Sequence, residues 1–313
     1  MKLNRLAYLL AFAFLISLVA CKSDGTNQSA IANGGEPAPL SLSQLEAKYK
    51  ETPNAANGNA VVNALIEKLK DKSISTTERT NLLKQGYDIS SAQGIVSRTS
   101  GFLFSMLKEG GSSDPGKIFE LGKLMKNARK EGAANVLFNS IVEESPDWEG
   151  IGEVKSMMTE TLTSSDAYIT TLGKKLFEDV DNTGINRTAA MKYVNACEAY
   201  AIAFPDNLKV TPDNLFKAAE VAKSIRTFPK SLSIYDWILE KYPNYEKAPT
   251  SLFLKGFIIE NNIKDDVMAK EIYNKFLSDY PKHDLADDVQ FLIDNLGKSD
   301  QEILEMIESK KKN

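Results

Sequence analysis

Apolar positions along this chain recur at helical spacing. Ile234, Tyr235, Ile238, Leu239 and Tyr242 fall on one helix face, and Leu252, Phe253, Gly256, Phe257 and Ile259 fall on a face of the next helix. Pro243 stops the first of these, and the polar run at 260–266 breaks the second. The same reading predicts helices near 57–71, 77–90, 92–109, 115–129, 131–145, 150–163, 165–180, 187–204, 211–226, 229–242, 247–261, 265–280, 284–297 and 299–311. Start signals are expected at Asp114-Pro115, at Thr211-Pro212 and at Ser299 with Glu302. No stretch alternates as a half-buried strand would.

The pattern also repeats. At steps of 38 residues, Phe204-Pro205, Tyr242-Pro243 and Tyr280-Pro281 share a column. Cys197, Tyr235 and Tyr273 share another, as do Tyr200, Ile238 and Phe276, and Leu215, Phe253 and Phe291. A fixed period of this size marks stacked supersecondary units, none of which buries its apolar face alone. The predicted unit is helix, short turn, helix. Between 147 and 186 two helices are expected where one would keep the parity, so a bend between two sub-arrays is expected there.

These units resemble the tetratricopeptide repeat. Residues 115–148 carry its spacing in Ile118, Leu121-Gly122, Met125, Ala134, Phe138, Ile141 and Pro146, and Ala269, Tyr273, Phe276 and Pro281 carry its second-helix pattern. Cys197 and Ser231 depart from it, standing where an aromatic and an alanine are usual. The resemblance covers 115–148 and 187–297 and implies an all-α, right-handed α-solenoid. Gly122, Gly256, Ala134 and Ala269 are expected where paired helices cross closely, and Tyr273 and Phe276 are expected to fill the space between units.

The ends add a destination. Lys2 and Arg5 precede an apolar run from Leu6 to Ala20, too short to span a bilayer. Leu18-Val19-Ala20-Cys21 resembles the lipobox of bacterial lipoproteins, which implies cleavage before Cys21 and acylation at that residue, palmitate included. An ordinary signal peptide with a free Cys21 is the alternative. Two or three acyl chains on one residue anchor firmly. The predicted organisation is a leader at 1–20, an anchored tether at 21–55, an array at 56–186, and a second array at 187–313 ending in a capping helix. Residues 22–39 are mostly Gly, Ser, Asn, Ala and Pro with almost nothing to bury. Such a stretch reaches about 25 Å as a flexible chain.

Composition removes several classes. The net charge is −4, and the leader holds two cations and no acid, so the remainder is more acidic still. That sign disfavours nucleic acid as a partner. If Cys21 is acylated, Cys197 is left without a partner for a disulfide. One histidine, His283, and one free cysteine build no metal set, so no metal and no cofactor are expected. No phosphate-loop, dinucleotide or nucleophile-elbow motif is present. Acid pairs at 143–144, 265–266 and 287–288 fall at helix ends or turns, where acids face water or favour the helix dipole. No catalytic residue is assigned.

Three residues are candidates for partner contact. Lys123 and Asn127 point away from the Leu121/Met125 stripe, either as a solvated face or as a peptide site. Trp237 lies off the Tyr235/Ile238 stripe, either as an exposed anchor or packed under a neighbouring segment. The "Y…L…YP" copies, the lipobox and the size resemble tetratricopeptide-repeat envelope lipoproteins of the BamD and CpoB kind. That resemblance implies a non-enzymatic adaptor on the periplasmic side of an outer membrane, binding envelope proteins or peptide segments. A surface-exposed capture lipoprotein beside a transporter and an envelope hydrolase built on acid pairs are the alternatives.

Overall fold

A computed structural model describes residues 39–111, 114–160, 162–180, 184–298, 301, 302 and 305. The chain divides into two units at Leu40–Ser41. Cys21, the leader and residues 22–38 lie outside the described residues, as does Ser299 of the expected last cap. No described helix is long and apolar enough to cross a membrane.

The second unit is all-α. Its first helix, α1 (Leu42–Glu51), falls inside the stretch expected to be tether. Ser41 accepts from the Gln44 amide while the Gln44 side chain accepts from the Ser41 amide, a capping box that starts the helix. Leu42, Leu45 and Tyr49 then pack on the core of the first helices. The tether expected to run to residue 55 therefore ends before Ser41.

The remaining helices pair as hairpins. After α2 (Ala55–Leu69) come α3 (Thr76–Ala92) with α4 (Val96–Gly110), and α5 (Pro115–Asn127) with α6 (Glu131–Glu144). Later come α9 (Arg187–Ala203), α10 (Val210–Ser224) with α11 (Phe228–Lys241), α12 (Ala248–Ile258) with α13 (Asp266–Asp279), and α14 (Ala286–Asn295). Two turn types alternate. Within each hairpin the first helix ends in one left-handed residue: Gly94, Arg129, Arg226 or Lys264. In the first three, the next amide (Ile95, Lys130, Thr227) reaches the carbonyl five residues back at 2.9–3.0 Å, the Schellman closure. In the fourth, a π turn (Ile259–Ile263) lengthens the loop by one residue, and Asp265 bonds the Ile259 carbonyl instead.

Between hairpins the proline columns set the geometry. Ser145, Phe204, Tyr242 and Tyr280 all end their helices at φ between −141° and −125° and ψ between 51° and 55°, as a residue before proline must leave the α region. Each carbonyl then accepts from the amide three residues on: Trp148, Asn207, Tyr245 and His283. The sole histidine is thus one member of a turn series, set edge-on against Phe276 with centroids 5.6 Å apart. Asp114 caps α5 as expected, accepting from the Gly116 amide at 2.9 Å. Thr211-Pro212 does not start α10. The helix begins one residue earlier, and Thr211 Oγ1 donates to the Phe204 carbonyl at 2.6 Å.

Glycine makes the crossings close. A Cβ on Gly86, Gly122 or Gly256 would lie 2.3–2.6 Å from the ring of Phe102, Phe138 or Tyr273 in the paired helix. Tyr273 therefore closes its own hairpin, where a place between units was expected. The Gly86–Phe102 pair extends the repeat to α3–α4, which the sequence columns do not reach.

Residues 147–186 are an excursion from the stack. They form α7 (Ile151–Met157), α8 (Ser165–Lys174) and a 3-10 turn (Lys175–Phe177), shorter than the spacing predicts. α6 packs directly along α9. A polar row on α6 pins the excursion beside it. Asn135 bonds Thr159, Asn139 bonds Ser165 Oγ, and Glu143 accepts from the Ser165 amide and hydroxyl, both at 2.9 Å. One core runs from Leu103 to Ile258 without a break at 186–187, so no boundary between sub-arrays falls there.

Direct stacking of α6 on α9 also brings α4 to α11. Phe104 and Trp237 meet edge to face at 5.7 Å, Lys241 Nζ reaches the Glu109 carbonyl at 3.2 Å, and Lys72 pairs with Asp236 at 3.6 Å.

Candidate functional site

Trp237 is 3% exposed. It lies in the α4–α11 seam, with Phe104 at its edge and Lys108 Nζ 4.8 Å above its ring. An indole so covered is not an exposed interface anchor, and of its two expected placements the packed one holds. Burial holds the Lys108 amine below its usual range, with Glu240, Glu109, Glu198 and Asp236 pulling the other way.

Lys123 and Asn127 sit on α5 as expected, off the buried stripe of Leu121 and Met125. Lys123 Nζ lies over the Phe119 ring at 4.4 Å, while Asn127, the last residue of α5, is exposed. They do not join a groove of free polar groups on the later first helices. Glu220 accepts from Tyr235 and pairs with Lys223, Glu260 accepts from Tyr273 at 2.6 Å, and Asn261 bonds the Phe257 carbonyl.

The acid pairs do not converge. Asp265 caps α13, with Asp266 in its first turn. Asp287 and Asp288 stand exposed in the first turn of α14. Between them lies the whole of α13, about 21 Å of helix. Among the described residues no group of His, Cys, Asp and Glu could hold a metal ion. Cys197 is fully buried, and burial pushes its thiol well above its usual range, so it packs as a small apolar group.

The structure also brings together residues that sequence spacing does not. The α5–α6 turn and the start of α9 face each other across a cleft of about 470 Å³. Arg129, Lys130 and Gly132 line it from the α5–α6 side, and Arg187, Met191 and Lys192 line it from α9. Lys130, Ala133 and Asn195 also line a narrower pocket of about 150 Å³, walled by α4, α5, α6, α9 and α11. Inside it Glu198, with its side chain 9% exposed, holds Lys230 Nζ at 3.0 Å and 3.1 Å. Partial burial lowers the Lys130 amine below its usual range. Lys230 lowers it further, and Glu198 opposes both. The available sequence signal is the absence of glycine from a turn that needs a left-handed residue. Arg129 takes that place, and nothing in the spacing tells that α9 lies opposite.

No protein-family model matches this chain. No curated protein matches it either.

Proposed function

We propose that this protein is a non-catalytic helical-repeat scaffold of the cell envelope, a tetratricopeptide-like lipoprotein held by a lipid on Cys21. Its partners on this reading are envelope proteins or peptide segments, met on the periplasmic side of an outer membrane. The observation that carries the reading is the architecture. Among the described residues four hairpins carry one left-handed residue in the turn, and four helices share one pre-proline stop. Stacking of such units builds extended binding surfaces. Export and anchoring rest on the leader and on Leu18-Val19-Ala20-Cys21.

In-cell crosslinking, followed by capture from solubilised membranes and mass spectrometry, tests the reading. A dominant envelope partner at fixed stoichiometry, lost when Cys21→Ser releases the protein from the membrane, is the expected result. A membrane-bound protein that yields no stoichiometric partner would overturn the scaffold reading. The capture alternative is favoured by the cationic cleft, and protease treatment of intact cells separates the two, since only a surface protein is cut. A hydrolase needs acids facing one another, and the acids at 265–266 and 287–288 occupy separate helix starts, so it is not proposed.

A further inference from the structure

We propose that the cleft between the start of α6 and the start of α9 binds a phosphate group. The inference is independent of the scaffold reading, because it rests on the chemistry of one cavity.

The first observation is charge. The lining holds four cations and one carboxylate, Glu131, in a chain whose net charge is −4. The opposite walls treat their cations differently. Lys192 is answered by Glu160 at 3.5 Å, and Arg187 donates to the Ile225 carbonyl at 2.6 Å. Arg129 and Lys130 have no carboxylate within ion-pair distance among the described residues. Uncompensated positive charge is therefore concentrated on the α5–α6 turn and faces an open volume of about 470 Å³.

The second observation is the way Arg129 is held. It sits at φ 59°, a backbone that glycine adopts most readily. Arg226 and Lys264 occupy the equivalent place in later hairpins, so a cation in this turn belongs to the repeat. The α5–α6 hairpin has the start of α9 across from its turn, because α6 stacks on α9 where the excursion leaves the array. The contact is close: a Cβ on Gly132 would lie 2.7 Å from Lys192 Cγ and 3.3 Å from the Lys192 carbonyl. Two more cations are thus fixed across the gap.

Two further features add to the cavity without carrying the argument. Lys130 is the N-cap of α6 and offers no side-chain acceptor, so the first-turn amides of α6 have none to bond. Those amides and the helix dipole favour an anion at this end. The depressed Lys130 amine would also be restored by a neighbouring anion.

The charge count selects the ligand class. Arg129 and Lys130, without a carboxylate at ion-pair distance among the described residues, beside Arg187 and a Lys192 already answered by Glu160, suit a dianion better than a single carboxylate. Met191 is the one large apolar side chain in the lining, so little hydrophobic area awaits an organic group. Phosphate is the shared chemistry of two sources, a soluble phosphate ester and a phospholipid headgroup.

The test uses the full chain in detergent and two probes, inorganic phosphate and a short-chain phosphatidylglycerol below its micelle concentration, each titrated by calorimetry. Arg129→Gly keeps the left-handed backbone and removes the guanidinium, and Lys130→Gln keeps most of the stem and removes the charge. Each is expected to weaken binding by about tenfold or more, with no loss of melting temperature. Lys264→Gly, the equivalent left-handed residue in a hairpin that does not line the cleft, is expected to leave affinity unchanged. Saturable binding of phosphate that falls in the Arg129 and Lys130 variants supports the site with a soluble source. Tighter binding of the lipid that falls in the same variants supports it with a headgroup source. Saturation by neither probe, or wild-type affinity in both variants, overturns the proposal.

Discussion

Phe104 of α4 meets Trp237 of α11 edge to face, with ring centroids 5.7 Å apart, while Lys108 Nζ lies 4.8 Å from the indole ring centroid. Two hairpins far apart in the chain are joined by that contact. It exists because α6 packs on α9 and the excursion at 147–186 is set aside. Truncating a buried tryptophan removes its transfer energy and leaves a cavity. Trp237→Ala is expected to lower stability by about 3–5 kcal/mol, read from urea unfolding. A loss within the error of the measurement would mean that the seam does not hold the array.

The glycine crossings give a paired prediction. A methyl on Gly122 would meet the fully buried ring of Phe138 at 2.4 Å. Gly122→Ala is expected to cost about 1–3 kcal/mol. Gly152, inside α7, has nothing within 4 Å of its built Cβ. Gly152→Ala, in the first turn of a seven-residue helix, is expected to raise stability by up to about 0.5 kcal/mol through helix propensity. Thermal unfolding of both variants side by side checks the sign of each.

Much of this was legible in the residues. Prolines mark four helix ends with one backbone conformation, three of them after an aromatic residue, and the glycines mark the crossings. Other parts were not. α1 carries only three apolar contacts and is defined by a capping box that looks like tether composition. The row of Asn135, Asn139 and Glu143 reads as ordinary helix surface until Thr159 and Ser165 are seen to bond it. Trp237 and the cationic cleft both depend on which distant helix lies opposite, and local periodicity does not encode that.

Two buried serines with opposite partners separate satisfaction from burial. Ser231 Oγ donates to the Ala219 carbonyl at 2.9 Å, whereas Ser90 Oγ is buried with no partner. Ser231→Ala is expected to cost about 1 kcal/mol, and Ser90→Ala to be neutral or stabilising by up to about 1 kcal/mol. Equal losses in chemical denaturation would contradict that assignment.

Alkali should unfold the array from within. Burial, with Glu120 beside it, pushes the Tyr87 hydroxyl up to about 12, and burial with Asp206 nearby does the same to Tyr242. Tyr235 and Tyr273 are raised in the same direction, by burial and then by Glu220 and Glu260. A raised native value means that the folded chain binds more protons, so this stability is fully present below the unfolded value near 10 and is lost as pH rises toward 12. Tyrosinate absorbance should lag behind the free-tyrosine curve and then rise together with the loss of helical circular dichroism. Ionisation of all tyrosines near pH 10 in a still-folded protein would contradict this account.

The stacking of α6 on α9, and the return of α4 to α11 that follows from it, is tested most directly by proximity. Glu109 and Lys241 sit on the two sides of that seam, with Lys241 Nζ 3.2 Å from the Glu109 carbonyl. With Cys21→Ser in the background and Cys197 buried, Glu109→Cys with Lys241→Cys supplies two reactive thiols. A short bis-maleimide is predicted to join them within one chain, in high yield and independently of protein concentration. Products formed only between chains, or none at all, would contradict the fold-back.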